Sequence, residues 1–143
     1  MHRYRKILVL LDLSDASAQV AEAARDLAQG TGAEIIALHI VEFIPVEPMG
    51  ETLMPSVQIQ ADLAVRTRER LAELTRSLRM VGTRCRVEIG NTKAQILRVA
   101  AEEEADLIVL GSRERHGLAI LVNFTEDTVL HASHCDVLAI RLK

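Results

Sequence analysis

Four groups of residues carry side chains able to do chemistry. Asp12-Leu13-Ser14-Asp15 places carboxylates and a hydroxyl directly after a short apolar run. Gly111-Ser112-Arg113-Glu114-Arg115-His116-Gly117, leading to Asn123-Phe124-Thr125, mixes glycines, hydroxyls and cations, the groups that contact phosphate. His131, His134 and Cys135 offer imidazole and thiolate, which suit zinc. His39 stands in the middle of the apolar run Ile35–Val41.

Each group also has a plainer reading. Asp12 or Ser14 can cap the helix that follows it. Arg113, Arg115 and His116 can form a solvated basic loop. His131 and His134 suit a helix C-terminus, where positive charge is favoured, with Cys135 a small buried hydrophobe. Their spacing is irregular and no fourth ligand is evident, so no metal is expected. A histidine inside a strand is usually a satisfied core residue, and no residue is assigned a catalytic role. The first turn contains no glycine, which excludes a dinucleotide fingerprint and a P-loop there.

The chain that must position these residues has 143 of them and 15.8 kDa, the size of one domain, so residues 1–143 are expected to share a single core. With 17 basic and 20 acidic residues the net charge is −3, which argues against a nucleic-acid partner. Aromatics are 2% of the chain, with no tryptophan, so Tyr4, Phe43 and Phe124 are the whole supply for stacking. Two distant cysteines, Cys85 and Cys135, form no disulfide framework and fit a reducing cytosol. No stretch reads as a signal peptide or a membrane span, and a cytoplasmic location is expected.

Five apolar runs alternate with segments of helical periodicity, the pattern of an α/β sheet with crossover helices. Ile7–Leu11, Ile35–Val41 and Leu107–Leu110 are unbroken and belong in the centre of the sheet. Thr83–Ile89 alternates polar with apolar, so one face should meet solvent at a sheet edge. Val137–Leu142 ends the chain. Between them lie four helical stripes. The first is Val20, Ala21, Ala24, Leu27 and Ala28, stopped by Gly30 and Gly32. The second is Ile59, Leu63, Leu71, Leu74 and Leu78, and the third is Ile96, Leu97, Ala100 and Ala101 behind an Asn91 or Thr92 cap. The fourth is Leu118, Leu121, Val122, Thr125, Val129 and Ala132. Right-handed crossovers then give a doubly wound parallel sheet of order 3-2-1-4-5, with ligands expected where the winding reverses, between the first and fourth strands. All three prolines fall in Phe43–Pro55, which reads as a loop or flap.

Lys6–Val9 running into Asp12-Leu13-Ser14, then Ala37–Val41, Ala105–Ser112 and Cys135–Ile140, are segments on which the whole chain resembles the universal stress protein family. The resemblance implies a five-stranded domain of the adenine nucleotide alpha hydrolase-like type. It also implies a cytosolic homodimer paired through the last strand, and a role in stress survival with no defined reaction. Members that hold ATP carry Gly-x-x-Gly, a spacer, and Gly-Ser or Gly-Thr. Here Gly111 matches the first glycine, but Glu114 replaces the second, and Asn123-Phe124 stands where Gly-Ser is expected ahead of Thr125. Side chains at such turns keep backbone N–H groups from phosphate oxygens, and Glu114 adds a repulsion of about 4 kcal/mol at 4 Å for an effective dielectric of 20. Arg113 and Arg115 offset part of it. The resemblance places Asp12 and the backbone near Val41 at the adenosine half of a degenerate site, and Gly111, Arg113, Gly117 and Thr125 at its phosphate half.

The expectation is a dimeric stress-response or signalling module, not an enzyme, without a cofactor and acting on an unknown protein partner. The alternative is a nucleotide-dependent switch that holds ATP or AMP. A phosphoacceptor receiver domain is disfavoured, because Asp106 lies at the wrong end of its strand.

Overall fold

The computed structural model describes residues 4–42, 57–113, 129 and 131–142. Its elements run β1 (Lys6–Leu10), α1 (Ser17–Thr31), β2 (Glu34–Val41), α2 (Val57–Ser77), β3 (Arg84–Ile89), α3 (Thr92–Glu102), β4 (Leu107–Arg113) and β5 (Asp136–Leu142). The five strands form one parallel sheet in the order β3-β2-β1-β4-β5. This is the expected winding, with β3 and β5 at its edges.

Strand side chains alternate between two cores. Ile7, Val9, Ile35, Ala37 and Val87 face α1 and α2, meeting Val20, Ala21, Ala24 and Leu71. Leu8, Ile36, Leu38 and Ile108 face α3, meeting Ile96, Val99 and Ala100. The unbroken apolar runs of the central strands follow from burial on both sides. Val129, in the fourth stripe, is fully buried in the α3-side core. The rest of that stripe, apart from Ala132, lies outside the described residues, as does the 43–55 flap.

Several expectations are corrected. Gly30 lies inside α1, and Gly32 alone ends it, in the left-handed region at φ 75° with its N–H donating to the Ala28 carbonyl. Ala101 is exposed while Val99 is buried, so the α3 stripe is i, i+3, i+4; of the two candidate caps it is Asn91 that accepts the Ala94 N–H. In α2, Leu63 is 46% exposed and the buried line is Thr67, Leu71 and Thr75. The threonine hydroxyls donate to the Leu63 and Ala72 carbonyls of their own helix, which satisfies them, and that of Thr75 also lies 3.9 Å from the Cys85 thiol of β3. The polar face of β3 meets solvent at the sheet edge, as expected, and is laced with ion pairs. Arg84 and Arg86 bind Glu103, Arg84 binds Glu34, and Arg98 of α3 binds both Glu88 and Glu102. These contacts hold the Glu102 carboxyl below its ordinary range, chiefly through Arg98, and that of Glu103 chiefly through Arg84.

The turn after α2 closes by two bonds, Met80 N–H to the Thr75 carbonyl and Arg79 N–H to that of Arg76. This pairing leaves the intervening residue left-handed, a position that glycine usually fills. Here it is Arg79, at φ 57°.

Candidate functional site

The chain leaves β1 through a turn built on one carboxylate. The Ser14 backbone N–H, the Ser14 hydroxyl and the Ser17 hydroxyl all donate to Asp12 Oδ1, at 2.9, 2.6 and 2.9 Å. Ser14 is therefore not the helix cap. The N-cap is Ala16, which makes no side-chain bond, and Asp12 organises the helix entry from outside it. Ser17 is buried, so without Asp12 its hydroxyl would lose its partner. Leu13 is left-handed at φ 61° and packs against the α1-side core.

Two hollows meet at Leu10 and Asp12. The smaller, of about 100 Å³, lies against α1 and is closed by Ser17, Val20, Gly111 and Leu142. The larger, of about 240 Å³, lies between β1, β2 and the start of α3. Leu11 and Ile40 give it an apolar side and Asp12, His39, Glu42 and Thr92 a polar one. His39 Nδ1 is 2.7 Å from the Leu11 carbonyl. A carbonyl only accepts, so Nδ1 carries the proton there, and His39 is the satisfied histidine expected of a strand. Thr92 donates its hydroxyl to Glu42 at 3.0 Å, and the Val41 carbonyl accepts the Gly90 N–H at 3.1 Å. No lysine or arginine lines either hollow among the described residues, and the larger one has two carboxylates at its rim.

Gly111 is not in a loop. Strand β4 continues beyond Leu110 through Gly111 and Ser112 to Arg113, whose Cα partners Leu142. A Cβ on Gly111 would sit 2.7 Å from Leu142 Cδ1 and 3.1 Å from Val20 Cγ2. Packing of α1 and β5 against the strand thus accounts for a glycine here, without any phosphate. Sequence reasoning placed it in a turn because a glycine after an apolar run reads as the end of a strand.

Asp12 and Gly111 line one hollow at the carboxyl end of the sheet; Val41 ends β2 and Arg113 ends β4 at that same end, outside the lining of both hollows. Gly117 and Thr125, together with Glu114, Arg115, His116, Asn123 and Phe124, lie outside the described residues. Asp106 is at the opposite end, where its carboxylate accepts the Arg5 and Lys6 N–H groups. His131 and His134 are exposed, and among the described residues no cluster could hold a metal. Cys135, expected as a small buried hydrophobe, is half-buried against the α3-side core, and burial pushes its thiol above the ordinary range, which suits an inert side chain. Glu42, Thr92 and Ser17 were not foreseen at the site, since only the crossing of β2, α3 and α1 brings them there.

Residues 3–141 match the model of the universal stress protein family. Universal stress protein A homolog 2 of Coxiella burnetii is 33% identical over 144 residues, covering 100% of this chain and 99% of that protein. Among solved structures, universal stress protein UspA from Lactobacillus plantarum superposes with a TM-score of 0.67 at 24% identity, covering 99% of this chain and 100% of its own. A universal stress protein in complex with cAMP gives 0.75 at 19% identity, covering 97% and 98%.

Proposed function

The chain belongs to the universal stress protein family, and from that premise we propose that it is a cytoplasmic, dimeric stress-response module that signals by contact and does not hold ATP tightly. The observation that carries this reading is the commitment of the candidate site to the fold itself. Asp12 spends one oxygen on three bonds within its own helix entry, and the open side of Gly111 is filled by Val20 and Leu142. The hollows beside them offer no lysine or arginine to a triphosphate among the described residues, and Asp12 and Glu42 repel one. Glu114, Asn123 and Phe124 stand in the sequence where the phosphate turn needs bare backbone.

Dimerisation is supported by β5. Among the described residues it pairs with no strand but β4, its Leu138 and Ala139 are exposed, and an apolar edge strand tends to find a second chain. The reading includes no chemical reaction. One observation favours a second reading, a nucleotide-dependent switch: a protein of the same fold is known in complex with cAMP, and Asp12 with its adjoining hollow persists here. Denaturing the purified protein and assaying the supernatant for adenine nucleotide, before and after incubation with ATP and Mg²⁺, separates the two. No stoichiometric nucleotide is expected in either case; one equivalent per chain establishes the switch instead.

A further inference from the structure

At the end of the sheet opposite the candidate site, the turn from α2 to β3 stands out from the surface. Its Val81 is 98% exposed. Two grooves, of about 280 and 250 Å³, flank it and share Arg79, Met80 and Val81; Arg25 lines the first and Arg76 the second. Met80 is buried and fixes the base of the turn. Arg79 holds the left-handed position that a glycine would fill without strain. The α2 dipole favours a cation near this end, and Arg76 already supplies one; it does not call for a second at the strained position. The arginines of β3 and α3 are all paired with glutamates, whereas neither Arg76 nor Arg79 has a carboxylate partner among the described residues. Glu34, the acidic residue in the first groove, is bound by Arg84. In a chain of net charge −3 this is a local basic patch around an exposed apolar knob.

The geometry points to a docking surface here for an acidic segment of a partner protein, its carboxylates meeting Arg76 and Arg79 and an apolar side chain seated against Val81. Strain kept at Arg79 and apolar surface kept at Val81 both have a use in such a contact, and arginine is the residue that most often anchors carboxylates at interfaces. The surface is remote from Asp12, so docking proceeds whether or not the strand ends hold a ligand.

The test is an amide-resolved NMR titration of the full chain with a synthetic peptide of glutamates and leucines, run beside the same peptide with lysines for glutamates and beside inorganic polyphosphate. Shifts centred on residues 76–83 with the acidic peptide alone are expected. Arg76→Glu with Val81→Asp should weaken binding about tenfold or more. Arg79→Gly, which keeps the turn and cannot fail for want of folding, should weaken it severalfold by the same argument. Absent or scattered shifts, equal binding of the lysine peptide or of polyphosphate, or unchanged affinity in Arg79→Gly and in the double variant would each overturn the proposal.

Discussion

Asp12 shows how one carboxylate can be read as a ligand group and turn out to hold the backbone. Its Oδ1 gathers a backbone N–H and two hydroxyls, one of them on the buried Ser17. Asp12→Ala strands those donors and should cost about 2–3 kcal/mol in urea unfolding, while Asp12→Asn keeps an acceptor oxygen and should cost about 1 kcal/mol or less. Equal midpoints for Asp12→Ala and the native chain would mean the turn does not depend on this residue. Gly111 makes the complementary case. Gly111→Ala drives a methyl against Leu142 and Val20 and should cost about 1–3 kcal/mol, in part relieved by Leu142→Ala, which vacates the space. The structural part of Asp12 was legible, since a carboxylate just before a helix reads as a cap, whereas that of Gly111 was hidden because Leu142 and Val20 are far from it along the chain.

Elements were the most legible level. All five strands and the three described helices lie within a few residues of where periodicity put them, because a sheet covered on both faces demands long apolar runs and helices demand a stripe. What periodicity could not show was polar groups satisfied inside the structure, such as Thr67 and Thr75 on α2, or the pairing of β3 with α3. That pairing has a pH signature. The Glu102 and Glu103 carboxyls titrate below the ordinary 4.5 when folded, so their stabilisation is present above the unfolded value and is lost as pH falls through the folded ones. Replacing Arg84 and Arg86 with methionine should flatten the acid limb of stability below about pH 5, and molar salt should shrink the difference, since the pairs are mostly exposed. Parallel acid limbs for the two proteins would contradict this. In the turn that leads into β3, Arg79→Gly relieves a left-handed arginine and should raise stability by about 1 kcal/mol by thermal unfolding. A loss would show that the turn is shaped by the arginine side chain.

At the scale of the whole molecule, the two edges of the sheet are unlike. β3 is bound into an ion-pair network, whereas β5 pairs, among the described residues, with no strand but β4 and presents exposed Leu138 and Ala139. Light scattering should give twice the 15.8 kDa chain mass at micromolar concentration, and Leu138→Lys should return the chain mass; a native monomer would remove the dimer from the proposal. The winding order was legible from the alternation of runs, and so was the nearness of Asp12 and Gly111 at the strand ends. The most direct test of the proposed function is a calorimetric titration of ATP with Mg²⁺ into the native chain and into a variant carrying Glu114→Gly, Asn123→Gly and Phe124→Ser. The expected result is no measurable heat from the native chain and saturable binding by the variant; saturable, stoichiometric binding by the native chain would contradict it.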